Sequence, residues 1–148
     1  MAFKINIGTK EGKTYKIETE AEELIGKSLG DTIKGKEISK DFDGYEFEIK
    51  GTSDGSGFTS MANVEGIGLK KSLLTYGKGM HKRSKREGKR KRSNPTPNGL
   101  RLRKTVRGKV ISPAIVQINL KLLKEGSKKL SEIFPDQNKS AENAEAQA

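Results

Sequence analysis

The sequence predicts a mostly β fold: a small β-barrel with one short helix and a long basic extension. Three observations lead there. Apolar residues recur at every second position in several short segments, the period of half-buried strands. Glycine-containing turns separate those segments. Between Lys78 and Arg107 stand thirteen lysines and arginines against one acid, Glu87, more like charge than a chain can pack against itself.

The elements follow in order. Phe3, Ile5 and Ile7 alternate with Lys4 and Asn6 and end at Gly8, which reads as a strand. Lys10-Glu11-Gly12-Lys13 is a turn, and Tyr15 and Ile17 complete a hairpin. Thr19 is placed to cap a short helix over Glu20 to Ile25, whose early acids suit the positive helix end, and Gly26 stops it. Leu29, Ile33 and Ile38 return a turn-rich segment to the core. Tyr45, Phe47 and Ile49 form the clearest strand of the first half, and Gly51 to Gly57 reads as a tight glycine-rich loop. A short apolar patch follows at Leu73 and Leu74. Val116, Ile118, Leu120 and Leu122 alternate with Gln117, Asn119 and Lys121, a strand with one buried face. Leu130, Ile133 and Phe134 make a last helical turn before Pro135. The chain therefore divides into a β domain over residues 1–77 and 104–134, a basic arm over 78–103, and a small-residue tail over 135–148 expected to be disordered.

The totals narrow the function. The 148 residues carry a net charge of +11 with 31% hydrophobic residues, enough for one core over part of the chain. Most of the 19 acids lie in the first fifty residues, so the positive charge is concentrated in the middle. The chain has no cysteine and no apolar run of bilayer-spanning length, and its start alternates where a signal peptide would be continuously apolar. A cytoplasmic protein is expected. The complement of the arm is a polyanion, and for a soluble basic protein that is nucleic acid. Pro95 and Pro97 prevent a continuous helix through the arm, so it is expected to order on binding. No aromatic lies between Gly77 and Gly108. Without a stacking platform, backbone and shape contacts with folded, double-helical RNA are favoured over single-strand reading.

The expected RNA-binding residues are Lys78, His81, Lys82, Arg83, Lys85, Arg86, Lys89, Arg90, Lys91, Arg92, Arg101, Arg103, Lys104, Arg107 and Lys109. Arginines supply planar two-pronged hydrogen bonds to phosphate and lysines supply diffuse charge. A second contact is expected where backbone approaches RNA at Gly51, Ser53, Asp54 and Gly57. For Asp54 the simpler role is to fix its own turn by accepting from nearby backbone N–H groups. His81, the single histidine, has no acid partner in sequence and more readily adds a hydrogen bond to an anion than binds metal or catalyses. Ala21 to Ser28 imitates a phosphate-binding loop, but Glu22 and Glu23 inside it would repel the ligand. No catalytic constellation stands out, so no enzyme, cofactor, metal or small-molecule substrate is expected.

Lys104-Thr105-Val106-Arg107-Gly108, followed by Ile111 and Ile115 to Leu120, resembles the archaeal and eukaryotic small-subunit ribosomal protein six, the S-six-e family, in its short, archaeal-like form. Ile49 to Phe58 resembles that family's signature loop, and the likeness runs in order over about residues 1–126. The family pattern has a second glycine where Thr52 stands and Pro-Met where Thr59-Ser60 stands. The Ser93 to Leu100 insert, with its two prolines, also departs from it. The resemblance implies a β-barrel on the small ribosomal subunit, bound to ribosomal RNA beside other ribosomal proteins and without enzymatic activity. On the residues alone, two alternatives stay open. One is a free RNA- or DNA-binding regulator. The other is an unrelated β domain whose Lys82 to Arg92 cluster is a targeting signal.

Overall fold

The computed structural model describes residues 2–80 and 99–138. Seven strands form: β1 (Phe3–Gly8), β2 (Thr14–Thr19), β3 (Thr32–Lys34), β4 (Glu46–Asp54), β5 (Leu69–Thr75), β6 (Arg101–Arg107) and β7 (Ile115–Lys124). One helical turn, α1 (Leu130–Ile133), follows. Five strands make one sheet in the order β2-β1-β7-β4-β3, and β5 and β6 pair separately as an antiparallel ribbon. The central β1–β7 pair is parallel, and the other neighbours in the sheet are antiparallel.

The alternation seen in sequence explains which face is buried. Ile5, Ile7, Phe47, Ile49, Ile118 and Leu120 all point into one core. Lys4, Glu48 and Lys121 lie on the opposite, polar face, where the Asn6 and Gln117 side chains both donate to Asn119 Oδ1. Phe42, Tyr45 and Phe47 close one end of the core. Tyr45 and Phe47 stack at 5.6 Å, and Phe42 meets both edge-on, arrangements that suit the quadrupoles of aromatic rings. Leu130 of α1 and Phe134 seal the same end, Phe134 stacking on Tyr15.

Several expectations need correcting. The sheet does not close into a barrel among the described residues: β2 and β3 are its two edges. β5 and β6, which lie between β4 and β7 in the chain, pair only with each other, and Leu74, Met80 and Val106 are buried in a second, smaller cluster. The helix expected over Glu20 to Ile25 is a single 3-10 turn, Glu22–Leu24. Thr19 does not cap it. It stays in β2, and its hydroxyl donates to the Ile38 carbonyl at 3.3 Å. Gly26 ends the turn as expected, at φ +88°. Gly51 to Asp54 is strand, not loop, because β4 continues alongside β7 to Asp54. Near that end the register shifts, so Ile115 is buried and Val116 faces out, against the simple alternation.

Candidate nucleic-acid interface

The described part of the basic stretch is built on the β5–β6 ribbon. Cross-strand register places Lys71, Leu73 and Thr75 of β5 opposite Thr105, Arg103 and Arg101 of β6. Strand side chains alternate between faces. Leu74, Leu102 and Val106 therefore turn into the second cluster, while Arg101 and Arg103 are exposed on the other face. No described residue forms an ion pair with either arginine. Leu100 packs against the same cluster in which Met80 is fully buried. Met80 and Leu100 thus bring the two described flanks of the stretch into one cluster. His81, Lys82, Arg83, Lys85, Arg86, Lys89, Arg90, Lys91 and Arg92 fall outside the described residues.

The glycine-rich turn lies beside the ribbon. Gly57 sits at φ +86°, a conformation open to glycine and strained for other residues. Ser56, Gly57 and Phe58 line an open depression of about 380 Å³ together with Gly79, Lys104 and Thr105. The signature loop, the start of the arm and its return strand therefore meet, although about fifty residues separate the loop from Lys104. Gly51, by contrast, is buried in β4.

The remaining expected contacts divide by their partners. Lys78 is exposed and donates through Nζ to the Lys50 carbonyl at 2.9 Å, tying the start of the arm to β4. Lys109 pairs with Glu65 at 2.7 Å. Arg107 is engaged in the fold. Its Nε and Nη2 donate to Asp54 Oδ2 at 3.1 and 2.8 Å, and its Nη1 donates to the Ile67 carbonyl at 3.3 Å. Asp54 Oδ1 accepts from the backbone N–H groups of Ser56 and Phe58 at 3.0 and 2.8 Å. Asp54 thus does fix its own turn, with Arg107 as a partner that sequence reasoning did not supply. Burial pushes the Asp54 carboxyl up, but the Arg107 guanidinium and the two N–H groups outweigh it and hold the carboxyl below its ordinary value.

Gly108, next in the run, comes so close to the 66–67 backbone that an added Cβ would lie 1.9 Å from the Gly66 carbonyl oxygen. Only glycine fits there. The motif residues Arg107 and Gly108 therefore join the ribbon to the rest of the molecule.

A family model described as "Ribosomal protein S6e" matches residues 3–135. The chain belongs to the ribosomal protein S6e family. It is 38% identical over 128 residues to the small ribosomal subunit protein eS6 of Methanococcus maripaludis (strain C7), covering 86% of this chain and 91% of that one. It is 37% identical to the eS6 protein of Archaeoglobus fulgidus, covering 90% of this chain and 96% of the other. The eS6 protein of Methanocaldococcus jannaschii is 36% identical, with 84% of each chain covered.

Within this S6e chain, the imitation phosphate-binding loop serves the fold. The Lys27 ammonium is paired with the Glu37 carboxylate, and Ser28 bridges to Val110. Among the described residues no cluster of three or more acids or histidines could hold a metal, and no helix is long and apolar enough to cross a membrane. Lys70 and Lys71 on β5 are further exposed cations, outside the predicted basic stretch that begins at Lys78.

Proposed function

We propose that the protein is a structural constituent of the small ribosomal subunit that binds ribosomal RNA and works in the cytoplasm with neighbouring ribosomal proteins, without catalysing a reaction. The single observation that carries this reading is S6e family membership over residues 3–135. The geometry supplies a rationale. A β platform anchors both ends of a strongly basic segment in one hydrophobic cluster and sets the Ser56–Phe58 turn beside Lys104. The segment 78–103 acts as the arm, its last residues paired in β6. Residues 1–77 and 104–134 act as the platform, and 135–148 as the tail. Arg101, Arg103 and the arm cations from His81 to Arg92 contact phosphates, and Lys104 with the exposed turn forms the second contact.

Sedimentation tests this against a free RNA- or DNA-binding regulator. A ribosomal constituent co-migrates with the small subunit through a moderate salt wash, whereas a free regulator stays at the top of the gradient. Replacing Arg101, Arg103 and Lys104 together by alanine should reduce incorporation about tenfold or more while leaving the isolated chain folded, because two of the three side chains are exposed. Full incorporation of the triple variant would discard this contact map.

A further inference from the structure

We infer that Arg107 is a positioning residue and not a phosphate contact: its pair with Asp54 holds the Gly55–Phe58 turn and the base of the ribbon in the one orientation that lets the turn and Lys104 meet RNA together. The inference deepens the RNA-binding reading and rests on it. By sequence Arg107 is one more cation in the basic run. By geometry it is set apart. Its side chain is 13% exposed and that of Asp54 is 4% exposed. Arg103 and Arg101, four and six residues earlier on the same strand, are exposed.

All three nitrogens of the guanidinium already have partners, spread over two segments: the end of β4 at Asp54 and the approach to β5 at Ile67. The other Asp54 oxygen reaches the turn itself at Ser56 and Phe58. The Arg107 backbone closes the frame, donating to the Thr59 carbonyl at 3.0 Å and accepting from the Met61 N–H at 3.1 Å. One side chain thus connects main sheet, turn and ribbon. Three of its five N–H donors are thus used, and a phosphate could take the two-pronged Nε–Nη2 edge only by displacing a carboxylate from a site largely shielded from water, stranding that carboxylate without its partner.

The two possible roles predict opposite signs for one substitution. If Arg107 bound phosphate, Asp54→Asn would remove a competing anion and tighten RNA binding. If Arg107 positions the turn, Asp54→Asn loosens the frame and weakens binding, although it makes the protein more positive. The experiment measures binding of the full chain to full-length small-subunit ribosomal RNA between about 50 and 200 mM salt. Arg101→Gln should lower the slope of log affinity against log salt by about one, the signature of a lost phosphate contact. Asp54→Asn and Arg107→Gln should each weaken binding about tenfold at every salt concentration with the slope unchanged. Amide exchange at Ser56 and Phe58 should quicken in both.

Tighter or unchanged binding by Asp54→Asn overturns the inference, as does a slope loss in Arg107→Gln equal to that of Arg101→Gln. Should Arg107→Gln fail to fold, Arg107→Lys replaces it. That variant keeps the charge but loses the two-pronged geometry, so weakened binding together with quickened amide exchange at Ser56 and Phe58 supports positioning, and retained binding, or weakened binding with exchange unchanged, overturns it. Absence of salt-dependent binding by the unaltered chain removes the RNA-binding reading itself, a result distinct from all of these.

Discussion

Thr52 and Ser60 show how local chemistry is set by neighbours distant in sequence. Thr52 stands in the segment that resembles the family's signature loop, and Ser60 just after it. In the fold they meet: the Thr52 hydroxyl donates to the Ser60 hydroxyl at 2.6 Å, and the Ser60 N–H donates to the Thr52 carbonyl at 3.0 Å. Both residues are buried. Removing one hydroxyl strands the other away from water, which costs more than removing both. Thr52→Val alone should destabilise the protein by about 1–3 kcal/mol. Adding Ser60→Ala should recover most of that loss in a denaturant-unfolding double-mutant cycle. Strictly additive losses would mean that the two hydroxyls are not coupled. Asp54 carries the same lesson. Its glycine-rich surroundings made the turn bonds legible, whereas Arg107 lies 53 positions away and no local pattern points to it.

Among the elements, the strands with strict apolar alternation were legible, because a two-residue period needs only one buried face. β1, β2, β4 and most of β7 fall in this class. β5 was not legible. Of its residues only Leu74 is buried, while Leu69 and Leu73 are exposed. Its partner β6 supplies what its pattern lacks. The edge strand β2 raises a different question, since unpaired edges invite other chains. Here the Gln137 side chain behaves like a short piece of strand. Its amide N–H donates to the Lys16 carbonyl and its amide oxygen accepts from the Lys16 N–H, both at 2.8 Å. The Asn138 side chain donates to the Thr14 carbonyl at 3.1 Å. Gln137→Ala should therefore accelerate exchange of the Lys16 amide about tenfold, leaving Ile5 and Ile118 protected, when followed by residue-resolved hydrogen exchange. Unchanged Lys16 protection would show that this contact contributes nothing in solution.

For the whole molecule, the charge and the core occupy different segments. Residues 82–98 hold eight lysines and arginines and one acid, so they account for +7 of the net +11 and leave +4 on the rest. Both flanks of this segment are anchored in the second cluster by Met80 and Leu100. Loop-closure entropy changes slowly with length. Replacing 82–98 by a short Gly-Ser linker should accordingly keep the melting temperature within about 5 °C, a shift of roughly 1 kcal/mol. The same replacement should remove most of the RNA affinity in a filter-binding assay. Loss of cooperative unfolding would instead make the arm part of the platform.

Composition and alternation by themselves determined that the chain is mostly β and basic in its middle, because burial of one strand face and repulsion among like charges act locally. The run around Arg107 also sufficed to suggest the family. Tertiary structure alone decided that the sheet stays open among the described residues, that β5 exists, and that Arg107 faces Asp54 while Arg101 and Arg103 face solvent. The physical reason is that strand partners and ion pairs are chosen between segments far apart in the chain. Their energies depend on which segments are brought together, and a one-dimensional pattern does not carry that information.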